Sequence, residues 1–212
     1  MRILKNTLAI LPEPMRDHYL KNKYDKQLKN WQAQGCSIPV PHVVKQLAIK
    51  SYQNIHNVDT LVETGTYLGD MTYAQRKLFK KIYTIELSEQ LYMRAVKRFK
   101  RQKNIEVLQG DSGIVLGSLI DKIEGKSIFW LDGHYSGGVT AKGSKECPIM
   151  QELEIILGSP YEHIILIDDA REFDGTNDYP QLEELCSMIQ GSKYPNSAIE
   201  VKEDIIRIEL KS

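Results

Sequence analysis

The chain lacks most of the features that assign a sequence quickly. Its 212 residues include only three cysteines, Cys36, Cys147 and Cys186, far apart and without a CxxC pair. This pattern excludes a disulfide framework and a structural zinc site, and it points to a reducing, cytoplasmic setting. No run approaches the ~18 consecutive apolar residues that a membrane span needs. The apolar N-terminal stretch MRILKNTLAILPEP is interrupted by Lys5 and followed by no small-x-small cleavage site, so no signal peptide is expected. Net charge is missing as well, with 28 Lys plus Arg against 28 Asp plus Glu. Bulk charge therefore cannot draw the protein to nucleic acid or an anionic membrane, and any steering must come from local patches. Internal repeats, low-complexity tracts and the GxGxxG phrase are all absent.

What is present is enough for one sizeable core, with 42% hydrophobic and 26% charged residues. Residues 1–58 read as an N-terminal helical extension, in which Pro12, Pro14, Pro39 and Pro41 mark breaks. One helix is predicted from Met15 to Gln34, ending at Gly35, and a second from His42 to Ile55 with Val43, Val44, Leu47 and Ile55 on one face. From Thr60 the texture changes to short β-type runs at 60–63, 82–86, 105–111, 127–133 and 163–169. Helical segments alternate with them near 69–80, 88–101, 112–121, 147–157 and 180–190. Residues 198–210 close the chain as two β runs around Glu203-Asp204. Residues 59–212 are thus predicted to be an α/β domain: a Rossmann-like, doubly wound, mostly parallel seven-stranded sheet with a C-terminal antiparallel hairpin.

In such a sheet the ligand lies outside the carboxyl ends of the strands, where the strand order reverses. The loop after the first strand reads Glu63-Thr64-Gly65-Thr66-Tyr67-Leu68-Gly69. Gly65 permits a tight turn with close ligand approach, and Gly69 opens the next helix without a side chain over its amides. The same loop also serves as a plain strand-to-helix turn. Glu86 ends the second strand, 21 positions after Gly65, at the distance from which a carboxylate reaches ribose hydroxyls. Gly110-Asp111-Ser112 ends the third and brings a carboxylate able to accept from an adenine amine. Each acid is also a natural helix N-cap.

Taken together, Glu63 to Gly69, Glu86 and Gly110-Asp111-Ser112 resemble the cofactor site of class I S-adenosylmethionine-dependent methyltransferases. The resemblance spans about 60–210, and its E-x-G-T-x-x-G phrase is similar to that of small-molecule O-methyltransferases of the catechol and macrolide-sugar types. It implies that Glu63, Gly65, Thr66 and Gly69 surround the methionine end of S-adenosylmethionine. It implies further that Glu86 holds the ribose, that Asp111 and Ser112 bracket the adenine, and that Asp132 lies close by.

Asp132 ends the fourth strand, and Asp168-Asp169 the fifth. The fourth and fifth strands are expected to be neighbours that both adjoin the first, so these acids would crowd beside the transferred methyl group. Crowded carboxylates repel unless compensated, and a hard divalent ion such as Mg²⁺ does so while lowering the pKa of an acceptor hydroxyl. Metal-dependent catechol-type enzymes carry an Asp after the fourth strand and an Asp-Asn pair after the fifth, which match Asp132, Asp168 and Asp169 as metal ligands. In this chain the pair is Asp-Asp. The bland alternative is that Asp168 and Asp169 cap the following turn.

The loop from Gly133 to Ser144 contains four glycines, and His134 within it is a candidate general base beside Asp132, with Lys142 able to meet an anionic group. An exposed, inert loop is the competing view. His42 could also come over the site, although a histidine at a helix start is more often structural. The order Cys147-Pro148 is not the Pro-Cys nucleophile of cytosine-C5 methyltransferases, and the Asn/Asp-Pro-Pro-aromatic loop of base-amine methyltransferases is absent.

Arg94, Lys97, Arg98, Lys100, Arg101 and Lys103 form a basic run on the helix after Glu86. Such a run can bind RNA phosphate, but with only Phe99 interleaved it reads better as a solvated face that complements the helix dipole. The expected activity is methyl transfer from S-adenosylmethionine to an oxygen of a small polar acceptor such as a sugar, assisted by a divalent metal. The alternatives are an RNA methyltransferase, or a non-catalytic binding protein that keeps the fold. No nucleic-acid partner or membrane span is expected, a homodimer is compatible, and the acceptor is open.

Overall fold

The computed structural model describes residues 11–133 and 148–212, in two compact units that divide at Lys45 and Gln46. The first unit holds α1 (Glu13–Ala33) and the start of α2 (His42–His56). Trp31, Val40, Val43 and Val44 form its small core, and the Trp31 indole Nε1 donates to the Ser37 carbonyl at 2.7 Å. Gly35, at φ 82°, takes the left-handed conformation that stops α1 where predicted.

The second unit contains β1 (Thr60–Thr64), α3 (Asp70–Gln75), β2 (Lys81–Glu86), α4 (Glu89–Phe99), β3 (Ile105–Gln109) and α5 (Ser112–Leu119). It continues with β4 (Ile128–Leu131), α6 (Ile149–Gly158), β5 (Ile164–Ile167), α7 (Leu182–Gln190), β6 (Ala198–Lys202) and β7 (Ile205–Glu209). The strands form one seven-stranded sheet in the order β3-β2-β1-β4-β5-β7-β6. β1 to β5 are parallel, and β7 pairs antiparallel with β5 and β6. The doubly wound sheet and its closing hairpin are therefore as predicted. Glu203 and Asp204 both take positive φ, 55° and 58°, as a two-residue hairpin turn requires. One expectation is corrected: β5 does not adjoin β1, because β4 lies between them.

The central strands are buried along both faces, so they read as continuous apolar runs rather than alternating ones. The two-residue period then sorts them into two cores. Val62, Phe129, Leu131, Ile165, Ile167, Ile206 and Ile208 point to one face with α5, α6 and α7 residues. Leu61, Ile128, Trp130, Ile164, Leu166 and Ile205 point to the other, where Ala48, Ile49 and Tyr52 of α2 pack with them. The apolar face predicted for α2 is thus out of phase at two positions. Leu47 and Ile55 are exposed, because Ala48, Ile49 and Tyr52 at spacings of three and four turn inward instead.

The chain runs from β1 outward to β2 and β3, then returns to β4 on the other side of β1. The strand order reverses between β1 and β4, so their carboxyl ends bound the crevice in which such sheets place ligands. No helix among the described residues is long and apolar enough to cross a membrane.

Candidate active site at the carboxyl ends of the strands

β1 delivers Glu63 and Thr64 to the switch point, and Gly65 turns the chain at φ 83°. The Gly65 and Thr66 amides both donate to the Ile85 carbonyl, at 3.0 and 3.1 Å, which binds the loop to β2. Glycine is required at 65 for a second reason. A Cβ there would sit 2.7 Å from the Asp132 carbonyl carbon and closer still to its oxygen. The glycine loop and the end of β4 are therefore in backbone contact, and the Asp132 amide donates to the Thr64 carbonyl at 3.1 Å. Gly69 likewise has φ 73°, and a Cβ on it would meet the Phe99 ring at 2.8 Å.

Glu63 lies under the loop, 1% exposed. Its Oε2 accepts from the Thr72 hydroxyl and from the Thr84 hydroxyl, the latter at 2.5 Å. The Thr84 oxygen is also 2.5 Å from that of Thr66. The three hydroxyls and the carboxylate satisfy one another as a closed polar network linking β1, β2, α3 and the loop. Burial pushes the Glu63 pKa up to about 7, against the opposing hydrogen bonds from Thr72 and Thr84. Glu63 thus supports the loop from beneath.

Glu86 stands beside it. Its Oε2 accepts from the Tyr67 amide at 2.7 Å and its Oε1 from the Ser88 amide at 2.9 Å. Burial raises its pKa while these amides pull it down. The Tyr67 amide reaches Glu86 because Tyr67 adopts a left-handed φ of 49°, an uncommon conformation for a bulky residue. The Glu86 carbonyl in turn accepts from the Gly110 amide at 3.0 Å. Asp111 caps α5 through its Oδ1, which accepts from the Gly113 amide at 3.0 Å, and Ser112 is buried behind it. The capping alternative for Asp111 is therefore realised, and the acid still stands on the rim. Gly65, Thr66, Glu86, Asp111 and Ser112 form one continuous edge from β1 to β3.

On the other side of the switch point, Asp132 and Asp168 follow neighbouring strands. A small cleft lies beside Asp168, lined by Leu131, Gly133, Ile149, Glu152, Asp168 and Phe173. Glu152 was not marked in the sequence. It is 1% exposed, on the buried stripe Ile149, Glu152, Leu153, Ile156 of α6, and a carboxylate on such a stripe was the available signal. A Cβ on Gly133 would lie 3.2–3.3 Å from Thr64 Oγ1, Ser112 Oγ and Glu152 Oε1, so three polar side chains converge where β4 ends.

The carboxylates expected to hold a divalent ion are arranged otherwise. Asp169 has φ 54°, and its Oδ1 accepts from Arg171 Nη1 at 3.0 Å. Asp168 Oδ1 accepts from the Asp169 amide at 2.9 Å, as a turn cap does. Among the described residues no group of three or more His, Cys, Asp or Glu is placed to hold a metal ion. Asp169 is thus engaged by a guanidinium and Asp168 by the turn that follows it. His134, Lys142 and Cys147 lie outside the described residues, and His42 belongs to the first unit.

The basic run on α4 is not uniformly solvated, which corrects the expectation for Arg98. Its Nη1 donates to the Leu68 carbonyl and to Asp70 Oδ1 at 2.8 Å, and its guanidinium lies over the Tyr73 and Phe99 rings. It ties α4 to the glycine loop. Arg98→Ala is expected to cost only about 1 kcal/mol, because the ion pair is partly exposed, yet to speed amide exchange at 65–69 markedly. Hydrogen exchange by mass spectrometry checks this, and unchanged protection of the loop would contradict it.

No family model and no curated protein matches the sequence. Solved structures do match the fold. An O-methyltransferase from Bacillus cereus, in complex with S-adenosylhomocysteine, is 14% identical with a TM-score of 0.56, over 90% of this chain and 91% of that one. The S-adenosylhomocysteine-bound methyltransferase PaMTH1 of Podospora anserina is 16% identical with a TM-score of 0.56, over 95% and 98%. TomG of Streptomyces achromogenes, an O-methyltransferase of tomaymycin synthesis in complex with S-adenosylmethionine, is 13% identical with a TM-score of 0.57, over 89% of both chains. At these identities the likeness is one of fold, and the fold is the Rossmann-like one of O-methyltransferases.

Proposed function

We propose that the chain is an S-adenosylmethionine-dependent methyltransferase acting on an oxygen of a small polar acceptor such as a sugar or its conjugate. The observation that carries this reading is the continuous edge at the switch point. There the left-handed glycine loop abuts Asp132 while its Tyr67 amide rests on Glu86. That edge supplies a close backbone approach and two carboxylates in the order that a nucleoside with a cationic tail calls for. Neighbours of the same fold bind S-adenosylmethionine or S-adenosylhomocysteine, which supports assigning that ligand here.

In this reading the Glu86 carboxylate accepts from the ribose hydroxyls through lone pairs not used by the Tyr67 and Ser88 amides. Asp111 accepts from the adenine amine, and Ser112 packs beside it. Gly65, Thr66 and Gly69 let the backbone approach the methionine end, and Glu63 holds that loop from below. The bound cofactor supplies an electrophilic methyl group. Asp132, at the edge of both the loop and the cleft, orients the acceptor hydroxyl toward it. Positioning of this kind accounts for most of the rate effect available to such a site. The acidic edge also favours a cationic ligand over a neutral one.

Calorimetric titration with S-adenosylhomocysteine tests the assignment. Micromolar binding is expected, weakened about 10- to 100-fold by Glu86→Gln and by Asp111→Asn, the latter chosen because asparagine still caps α5. Binding that both substitutions leave unchanged would place the ligand elsewhere, and no heat at millimolar ligand would sink the proposal.

A further inference from the structure

The carboxylates on the β5 side of the rim have a compensating charge that belongs to the chain itself. Arg171 Nη1 donates to Asp169 Oδ1 at 3.0 Å and to Asp204 Oδ2. The Arg171 amide donates to Asp204 Oδ1 at 3.1 Å, and the Ala170 amide to the Asp204 carbonyl at 2.9 Å. The remaining guanidinium edge is engaged too, with Nε 3.2 Å from Glu172 Oε1. The Asp204 side chain is 1% exposed. A carboxylate so buried demands a partner, and without one it leaves an uncompensated charge inside the protein. Asp169 follows β5 and Asp204 sits in the β6–β7 turn, brought together because β7 pairs antiparallel with β5. Crowded acids on this rim call for a cation, and the guanidinium stands at that position with donors that match two carboxylates at once.

We propose that Arg171 is a built-in counter-cation: it takes the charge-neutralising role of a divalent ion on the β5 side of the rim, and holds Asp169 away from any metal-ligand set. Arg171 is on this view a positioning residue. It fixes the turn after β5, and so the placement of Asp168, through Asp169 and Asp204. The inference concerns charge compensation and stands independently of the methyltransferase reading.

The test uses the full chain, stripped with EDTA and melted with and without millimolar Mg²⁺ or Ca²⁺ at matched ionic strength. Neither ion is expected to move the melting temperature of the wild type. Arg171→Met should melt about 4–8 °C lower. A divalent ion should then restore at least half of that loss, because the Asp169 and Asp204 carboxylates accept the ion that the guanidinium had replaced. Arg171→Lys should need no rescue, since it keeps the charge. Should Arg171→Met fail to fold, the double variant Arg171→Met with Asp204→Asn, which removes the buried charge that the guanidinium compensates, is expected to fold and to ignore divalent ions. Stabilisation of the wild type by Mg²⁺ that EDTA reverses would overturn the proposal. So would an Arg171→Met variant that is destabilised yet indifferent to both ions, or a double variant that also fails to fold, because the guanidinium would then act through packing alone.

Discussion

Gly65→Ala is expected to abolish S-adenosylhomocysteine binding and to destabilise the protein by about 2–5 kcal/mol. Two costs combine. Alanine at φ 83° pays the left-handed penalty of roughly 1–2 kcal/mol, and its Cβ would fall against the Asp132 carbonyl, forcing apart the ends of β1 and β4 at roughly 1–3 kcal/mol more. The displaced atoms are those that bound the proposed ligand crevice, so affinity is lost with stability. Gly117→Ala is the control. Gly117 lies within α5 with nothing near its added Cβ, so alanine there should stabilise by about 0.5–1 kcal/mol. Chemical denaturation of the two variants beside the wild type reads both effects. A Gly65→Ala protein as stable as the wild type would show that the loop does not approach β4 as described.

The second large effect is the pH dependence set by Glu63. Its pKa is pushed up to about 7 in the folded protein from an ordinary 4.5, so the folded state binds a proton that the unfolded state has released between those values. The stabilisation from this group is full below about pH 4.5 and is lost as the pH rises through 7. Over the whole window the change is about 3 kcal/mol. Glu63→Gln keeps a neutral amide in the same polar network and should remove this slope, leaving the variant more stable than the wild type above pH 7. Glu63→Ala instead strands the Thr72 and Thr84 hydroxyls around a cavity, at a cost of about 2–4 kcal/mol at any pH. Denaturant unfolding at several pH values between 4.5 and 8 separates these outcomes. An identical slope in the wild type and Glu63→Gln would assign the titration to another group.

The sheet was legible in the sequence because its determinants are local. Runs such as Ile128–Leu131 and Ile164–Ile167 are apolar at every position, as strands buried on both faces must be, and glycines and acids mark their ends. The hairpin was legible from Glu203-Asp204 between two β runs. The rim was readable residue by residue, since Gly65, Glu86 and Asp111 each sit at or just past the carboxyl end of a strand. What could not be read was what those side chains bond to. The pairing of Asp169 with Arg171 is one such bond, since Asp204, 33 residues beyond Arg171, is brought beside that arginine only by the antiparallel pairing of β7. Arg98 looked like one more solvated charge because its partners, Leu68 and Asp70, precede it by about 30 positions. Glu152 hid in an amphipathic helix, where one acid among apolar residues carries little weight by itself. The phase of α2 failed for a related reason: Leu47 and Ile55 are as apolar as Ile49, and only the packing shows that the sheet takes the face with Ala48, Ile49 and Tyr52.

The central claim is that an S-adenosyl ligand lies across the carboxyl ends of β1, β2 and β3. A crystal structure determined with S-adenosylhomocysteine tests it most directly. Density for the ribose against Glu86 and for the adenine beside Asp111, with the sulfur facing Asp132 across Gly65, is the expected result. Ordered ligand anywhere else on the molecule, with this edge empty, would contradict it.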